Sequence, residues 1–303
     1  MTMVANRDAP AWRERHAGSI RQLSFLLWVF VRNPSAVLGL VLVAGFLIMA
    51  LFGHYLIPYP DDVVGGMNLA NRLQPPSAAH WFGTDEMGAD IFSRVVAGAR
   101  TSLWVGLIVV AFGACVGVPL GLFAGYFGGL AGAVIMRVTD VFLSVPTVVL
   151  ALAVVAAIGP GTMNGVIALS VLWWPGYVRL AEANALSMRS AEFVESSRAI
   201  GATDARIVFV HILPNCFSSL SVKMSMDMGL AILSIASLGF VGLGAKPPAP
   251  EWGSMISTAR AYMPDWWWYA FFPGLFIYLT VLGFSLLGDG IRDVLDPRSG
   301  RGS

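Results

Sequence analysis

The stretch Glu195-Ser-Ser-Arg-Ala-Ile-Gly-Ala-Thr-Asp-Ala-Arg-Ile-Val-Phe-Val-His-Ile-Leu-Pro214 is a charged island between two long apolar runs. The runs cover residues 163 to about 186 before the island and residues 216–244 after it. About 20 mostly apolar residues are enough for a helix to cross a lipid bilayer. Because charged residues are unfavourable inside lipid, we expect residues 188–215 to form a folded loop at one membrane face.

The composition of the whole chain agrees with a membrane location. Of its 303 residues, 56% are hydrophobic and 12% are charged, whereas an average soluble domain carries about 25% charged residues. The sequence therefore predicts an all-α membrane protein with six transmembrane helices and both termini on one side. The predicted spans are residues 35–57, 102–126, 130–158, 163–186, 216–244 and 268–287.

The distribution of arginine predicts the orientation of these spans. Most arginines fall on inner segments if the N- and C-termini are cytoplasmic, as the positive-inside rule requires. The row Trp266-Trp267-Trp268-Tyr269 precedes the last span, and aromatic rings favour the membrane interface, so it marks the outer boundary. The first apolar run is too long for a signal peptide, and we expect it to be a retained anchor.

These boundaries divide the chain into four predicted segments. A cytoplasmic N-terminal tail contains a stretch, residues 19–31, that suits a helix lying on the membrane surface. The predicted segments are the tail at 1–33, the first transmembrane helix and long outer loop at 34–101, a core of five transmembrane helices with the loop 188–215 at 102–290, and a cytoplasmic C-terminal tail at 291–303.

The first half of the loop has the features of a short helix. Ser190 can cap its start, and Phe193, Ser197 and Ile200 follow at helical spacing. These three residues form a stripe along one face of the helix. A plain linker needs only a few residues and no such stripe, whereas an amphipathic helix can lie in a partner's groove. The charged residues of this helix are Glu192 and Glu195 near its start, where the helix dipole favours acids, and Arg198 on the same face as Glu195.

The second half of the loop predicts a second helix. Gly201 suits a left-handed stop for the first helix, and Thr203 with Asp204 can start the next one. Pro214 is expected to end that helix just before the following span. The pattern predicts a helix–glycine–helix elbow between two spans.

Several function classes lack the residues they need. No basic cluster alternates with aromatic residues, as a nucleic-acid surface would require. The four histidines and two cysteines are scattered, so a metal site or a membrane enzyme has no recognisable centre. A gradient-driven secondary transporter remains an alternative, although it would not need a capped elbow, and the inverted repeats found in many such carriers are not visible.

The loop resembles the EAA loop of importer permeases of the ATP-binding-cassette (ABC) class. Glu195, Gly201, Leu213 and Pro214 fall in register with that pattern, with serines at the two alanine positions. The resemblance implies the type I ABC importer permease (MetI-like) fold and an ATPase-coupling role for the loop. The residues implied in coupling are Glu192, Phe193, Glu195, Ser196, Ser197, Arg198, Ile200, Gly201, Leu213 and Pro214.

Flanking motifs narrow the resemblance to C-type permeases of dipeptide and oligopeptide importers. The matching motifs include Gly83-Thr84-Asp85, Gly125-Tyr-Phe-Gly-Gly129, Glu251-Trp252-Gly253 and Leu295-Asp296-Pro297-Arg298. The resemblance implies a non-catalytic subunit in a bacterial inner membrane that forms half of a pathway for di- or oligopeptides. Nickel or glutathione is the alternative substrate within the same permease role.

The resemblance also implies the partners. These are a homologous B-type permease, two ATPase subunits, membrane lipid, and an extracytoplasmic substrate-binding protein that docks on residues 58–100 and 246–265. No G-x-x-x-x-G-K-[ST] phosphate loop occurs in the sequence, so ATP and Mg are expected on the partner subunits and no cofactor on this chain.

Charged residues inside the predicted spans are further candidates for function. Asp140 lies three residues after Arg137 and can form a local pair with it, or face the pathway. Lys223 and Asp227 are four residues apart and can pair, or face the pathway between subunits. Met224 is beside them, as packing or as a flexible lining. The predicted pathway residues are Asp140, Lys223, Met224 and Asp227.

Overall fold

The structure, a computed structural model, describes residues 28–295, and its regular elements are helices. Residues 1–27 and 296–303 lie outside the described part, so the predicted surface helix is described only where residues 28–32 are helical. The helices are α1 (Pro34–Leu56), α2 (Pro60–Val63), α3 (Ile91–Phe127), α4 (Gly129–Leu143), α5 (Thr147–Ile158), α6 (Thr162–Met188), α7 (Glu192–Ala199), α8 (Asp204–Phe240), α9 (Trp252–Ala259) and α10 (Trp267–Leu295).

Four of these helices are long and apolar enough to cross a membrane: α1, α3, α8 and α10. A fifth span is reached if α4 and α5 together form one bent crossing. Helix α6 has 27 residues, which is about 40 Å at 1.5 Å per residue, but Arg179 and Glu182 make it more polar. The count of six spans, and the side of each terminus, stay predictions.

The third predicted span, residues 130–158, is not one straight helix. It is divided into α4 and α5, whose axes are bent by 81°. Pro146 is the N-cap of α5, and a proline disfavours helical geometry in the residue before it. The expectation of a single helix is therefore corrected to a helix pair broken at Ser144–Pro146.

Helices α3 and α6 share the most extensive contact between two helices within residues 28–295. Gly117, Gly121 and Gly125 lie on one side of α3 at intervals of four residues. A Cβ atom on them would lie 2.4, 2.3 and 2.4 Å from backbone oxygens of α6. Small residues at such spacing let two helix backbones touch, so this glycine stripe joins α3 and α6 into one tightly packed unit.

A second core lies between α1, α3, α9 and α10. Trp252 is fully buried there, and its indole nitrogen donates to the carbonyl oxygen of Val95 at 2.9 Å. Phe46 and Phe276 meet Trp252 edge-on. This core fixes the outer segment that contains α9 to the main bundle.

Two helices extend further than the predicted spans. Helix α3 begins at Ile91, well before residue 102, because the Asp90 carboxylate caps it by accepting from the Ser93 amide at 2.8 Å. Helix α10 continues to Leu295 and so covers the first residues of the predicted C-terminal tail.

Candidate functional site

The predicted elbow is present, with one change at its start. Helix α7 begins at Glu192 with Ala191 at the N-cap position, so Ser190 is not the cap. The acidic side chains of Glu192 and Glu195 lie in the first turn, where the positive end of the helix dipole stabilises negative charge. Gly201 has φ +85°, the left-handed conformation predicted for the stop.

One face of helix α7 is buried in the protein, and the other face is exposed at the protein surface. Val194 and Ser197 are buried against the bundle, and the Ser197 hydroxyl donates to the carbonyl oxygen of Phe193 at 2.7 Å. Ile200 is 87% exposed and Phe193 is 41% exposed. Ser197 therefore packs inward and does not belong to the outward stripe. The outward surface is formed by Glu192, Phe193, Glu195, Ser196, Arg198 and Ile200.

The second half of the elbow does not end at Pro214 as predicted. Thr203 caps it by accepting from the Arg206 amide at 3.4 Å, and the helix then continues past Pro214 to Phe240, four residues before the predicted end of the fifth span. Residues Ile207–Ile212 form a π turn directly before the half-buried Leu213 and the exposed Pro214. A widened turn leaves room for the ring of a proline, which has no amide hydrogen to donate.

A tyrosine that was not among the predicted site residues connects the two halves of the elbow. The Tyr126 hydroxyl donates to Asp204 Oδ1 at 2.6 Å and accepts from Arg198 Nη2 at 3.0 Å. The hydrogen bond from Arg198 to the Tyr126 hydroxyl raises the pKa of Arg198. The sequence signal for this residue is the motif Gly125-Tyr-Phe-Gly-Gly129, one of the flanking motifs that carry the family resemblance.

The ion pair predicted between Lys223 and Asp227 is confirmed. Lys223 Nζ lies 3.0 Å from Asp227 Oδ2. The indole nitrogen of Trp173 donates to the same oxygen at 3.1 Å, and the ammonium group lies 4.9 Å from the ring centroid of Tyr177. Asp227 is buried and Lys223 partly exposed, while the neighbouring Met224 faces outward. The pair joins α8 to α6 and presents its cation at the surface of the chain.

Asp140 has a different partner from the one predicted. Its carboxylate pairs with Arg179 and not with Arg137. The physical reason is that α4 packs against α6. Arg179 lies on α6, and this packing brings it next to Asp140. Both side chains remain about half exposed, so the pair contributes little to stability.

The predicted outer motif around residues 83–94 contains a network of buried charged and polar side chains. Arg94 Nη1 forms an ion pair with Asp85 Oδ2 at 3.1 Å, and His80 Nδ1 lies 3.0 Å from Asp90 Oδ1. Burial raises the pKa of the Asp85 carboxyl, and the positive charge of Arg94 partly offsets this. Within residues 28–295, no three histidine, cysteine or acidic side chains are grouped to hold a metal ion.

The two predicted outer loops meet beside this network. Arg94 Nη2 donates to the carbonyl oxygen of Pro248 at 3.3 Å. Glu251 caps α9 by accepting from the amides of Gly253 and Ser254 at 2.8 and 3.0 Å, and its burial raises the pKa of its carboxyl. A cavity of about 260 Å³ opens between the loops, with Glu86, Met87 and Tyr269 among its walls.

The described residues combine apolar helices long enough to cross a membrane with a short, partly exposed helix in the elbow, and this architecture defines a membrane protein with a folded loop between two long helices. The chain belongs to the family described as binding-protein-dependent transport system inner membrane component, which matches residues 117–301. Residues 24–76 match the N-terminal TM domain of oligopeptide transport permease C. The resemblance to C-type permeases is therefore confirmed.

Individual relatives are similar over most of their length. The probable D,D-dipeptide transport system permease protein of Escherichia coli (strain K12) is 45% identical over 91% of this chain and 91% of its own. The dipeptide transport system permease protein of Alkalihalophilus pseudofirmus is 43% identical over 88% and 87%. The glutathione transport system permease protein of Pectobacterium atrosepticum is 44% identical over 89% of both chains.

A solved structure shares the fold. An inward-facing conformation of the MetNI methionine ABC transporter contains a chain that aligns with a TM-score of 0.56 and 21% identity, covering 68% of this chain and 98% of that chain. At this identity the likeness shows the fold alone. The predicted fold class, an all-helical permease of this type, is confirmed.

Proposed function

We propose that this chain is the C-type permease subunit of an ATP-driven importer for di- or oligopeptides, and that it forms half of the translocation pathway with a homologous B-type permease. Two of the relatives carry dipeptide transport in their names. The observation that carries the coupling role is the outward surface of α7, where Phe193 and Ile200 are exposed on a helix held by Val194 and Ser197.

The outward surface of α7 has the form of a docking helix for an ATPase subunit. An exposed apolar pair flanked by Glu192, Glu195 and Arg198 suits insertion into a groove with complementary charges. The sequence has no phosphate loop, so ATP and Mg bind on two partner ATPase subunits. Their closure would displace the elbow as a rigid body and move α6 and α8, which flank it.

The remaining partners follow from the same assignment. The chain would lie in the bacterial inner membrane with six spans and a cytoplasmic N-terminus, so that the elbow at 188–215 faces the ATPases. The outer loops at 58–100 and 246–265, which meet at Arg94 and Pro248, would receive the substrate-binding protein. The tails at 1–33 and 291–303 would be cytoplasmic.

The pair formed by Lys223 and Asp227 is the proposed contribution to the pathway. A partly exposed ammonium inside a predicted span is unfavourable against lipid, and this favours a position facing water or the second permease. Met224 is exposed beside it and would give the wall an adaptable apolar side chain. Asp140, the other proposed pathway residue, keeps a partly exposed carboxylate that pairs with Arg179.

Site-specific photo-cross-linking of the complete complex tests the ATPase contact. A benzophenone amino acid placed at Ile200, which is 87% exposed, should cross-link to the ATPase subunit. The matched control is Val64, which is 77% exposed but lies in the outer loop, and it should give no ATPase adduct. Cross-linking from Val64 and not from Ile200 would contradict the assignment.

Glutathione is the second substrate candidate, because the relative named for glutathione transport is as similar as the dipeptide relatives. Competition in reconstituted vesicles separates the two. Unlabelled dipeptides should suppress uptake of a labelled dipeptide at lower concentration than glutathione does. The reverse order would transfer the assignment to glutathione.

A further inference from the structure

The motif Gly125-Tyr-Phe-Gly-Gly129 places one side chain against the elbow. Gly125 lies so close to α6 that a Cβ would be 2.4 Å from the Glu182 carbonyl oxygen. Gly128, with φ +63°, ends α3 and donates to the Ala124 carbonyl oxygen at 3.0 Å. With a close contact before it and a fixed turn after it, the Tyr126 backbone has little freedom to move.

The side chain of Tyr126 uses that fixed position to hold both sides of the elbow. Tyr126 as a whole residue is 7% exposed, and its hydroxyl meets Arg198 at the end of α7 and Asp204 at the start of α8. The guanidinium of Arg198 also lies 5.9 Å from the ring centroid. Gly201 separates these two partners along the chain, and its left-handed turn lets both reach one oxygen atom.

Besides this junction, the elbow joins the bundle through the buried side chain of Val194 and through its two chain connections. Residues 189–191 connect α7 to α6, and residues 200–203, which include Gly201, connect it to α8. Neither connection reaches α3. The Tyr126 hydroxyl is a charge-assisted link from the elbow to α3, and the glycine stripe joins α3 to α6.

We propose that Tyr126 is a positioning residue for ATP coupling: its hydroxyl transmits displacement of the elbow to α3 and, through the glycine stripe, to α6. This inference rests on the proposed ATPase contact at α7. Helices α3, α6 and α8 then move together as one body when the ATPases close. The step requires the hydroxyl and not only the ring.

The test is Tyr126→Phe in the complete transporter reconstituted with its binding protein. The ring and its packing are kept, so the ATPase should stay bound and hydrolyse ATP. Dipeptide uptake per ATP hydrolysed should fall by about tenfold, the order expected when a charge-assisted hydrogen bond is lost. Tyr278→Phe removes the hydroxyl of a tyrosine that is 60% exposed on α10 and should leave the ratio unchanged.

A second variant makes the test independent of how well Tyr126→Phe folds. Asp204→Asn alters an exposed side chain at the same junction and should lower the same ratio. The double variant should be no worse than the more severe single one, since both act on one hydrogen-bonded unit. A merely structural role would lower uptake and hydrolysis in proportion and leave the ratio at the wild-type value.

The outcomes separate the two proposals. If the wild-type complex couples ATP to uptake and cross-links from Ile200, but Tyr126→Phe and Asp204→Asn keep the wild-type ratio, the role of Tyr126 is overturned alone. If the wild-type complex itself shows no ATP-driven uptake and no cross-link, the ATPase contact is overturned as well.

Discussion

Replacing Gly121 by alanine tests whether α3 and α6 form one unit. The new Cβ would lie 2.3 Å from the Val178 carbonyl oxygen and 2.8 Å from the Ala181 Cβ. A carbon–oxygen contact is comfortable at about 3.3 Å, so the helices would have to separate by about 1 Å. Such overpacking destabilises a core by about 1–3 kcal/mol.

The matched control for this substitution is Gly45→Ala in α1. A Cβ on Gly45 meets nothing within 4 Å, while both substitutions gain the same helix propensity, about 1 kcal/mol. The difference between the two variants therefore isolates the clash. At about 2 kcal/mol it corresponds to a Tm lower by about 4–8 °C for Gly121→Ala than for Gly45→Ala.

The assay is the fraction of purified complex that remains in the monodisperse gel-filtration peak after heating to a series of temperatures. Gly121→Ala should lose its peak at lower temperature than both the wild type and Gly45→Ala. Equal midpoints for the two variants would refute the close contact between α3 and α6, and with it the idea that movement of α3 carries α6.

Three further substitutions test other parts of the structure. Lys223→Ala alone should destabilise the complex by about 3–5 kcal/mol because it leaves the buried Asp227 carboxylate without its counter-charge, and Lys223→Ala with Asp227→Leu should recover part of the lost Tm. Equal Tm values for the single and double variants would contradict the ion pair. Asp140→Asn should change the free energy of unfolding by about 1 kcal/mol or less, because its pair with Arg179 is half exposed, and a loss as large as that of Lys223→Ala would contradict this. Burial raises the pKa of Glu251, so its carboxyl binds a proton more tightly in the folded chain than in the unfolded chain. The wild type should therefore gain stability relative to Glu251→Gln as the pH falls from about 7 toward 4.5. Parallel curves of Tm against pH for the two proteins would contradict that shift.

The elbow could be predicted from the sequence because its signals are local. A glycine at the end of a short helical pattern needs a left-handed conformation, and Gly201 has φ +85°. The i to i+4 spacing of Lys223 and Asp227 places them on one helix face, and they pair. Four of the six spans that were predicted from long apolar runs are long apolar helices in the structure.

The features that the sequence did not reveal depend on contacts between distant segments. Asp140 meets Arg179 only because α4 packs against α6, and no spacing rule connects residues so far apart. Tyr126 reaches Asp204 across 78 positions. The π turn before Pro214 and the 81° bend at Pro146 show that a proline can be absorbed or can break a helix, depending on what surrounds it.

The most direct test of the central claim is ATP-driven dipeptide uptake by vesicles that contain the complete complex with Gly201→Asp. A Cβ at Gly201 meets nothing within 4 Å in this chain, and aspartate is among the residues that best tolerate a left-handed conformation, so the chain should still fold and insert. Gly242→Asp is the control, because Gly242 has φ +90° and equally open surroundings at the other end of α8. The account predicts that Gly201→Asp abolishes uptake while Gly242→Asp retains it; normal uptake with Gly201→Asp would contradict the claim that this elbow joins the permease to its ATPase.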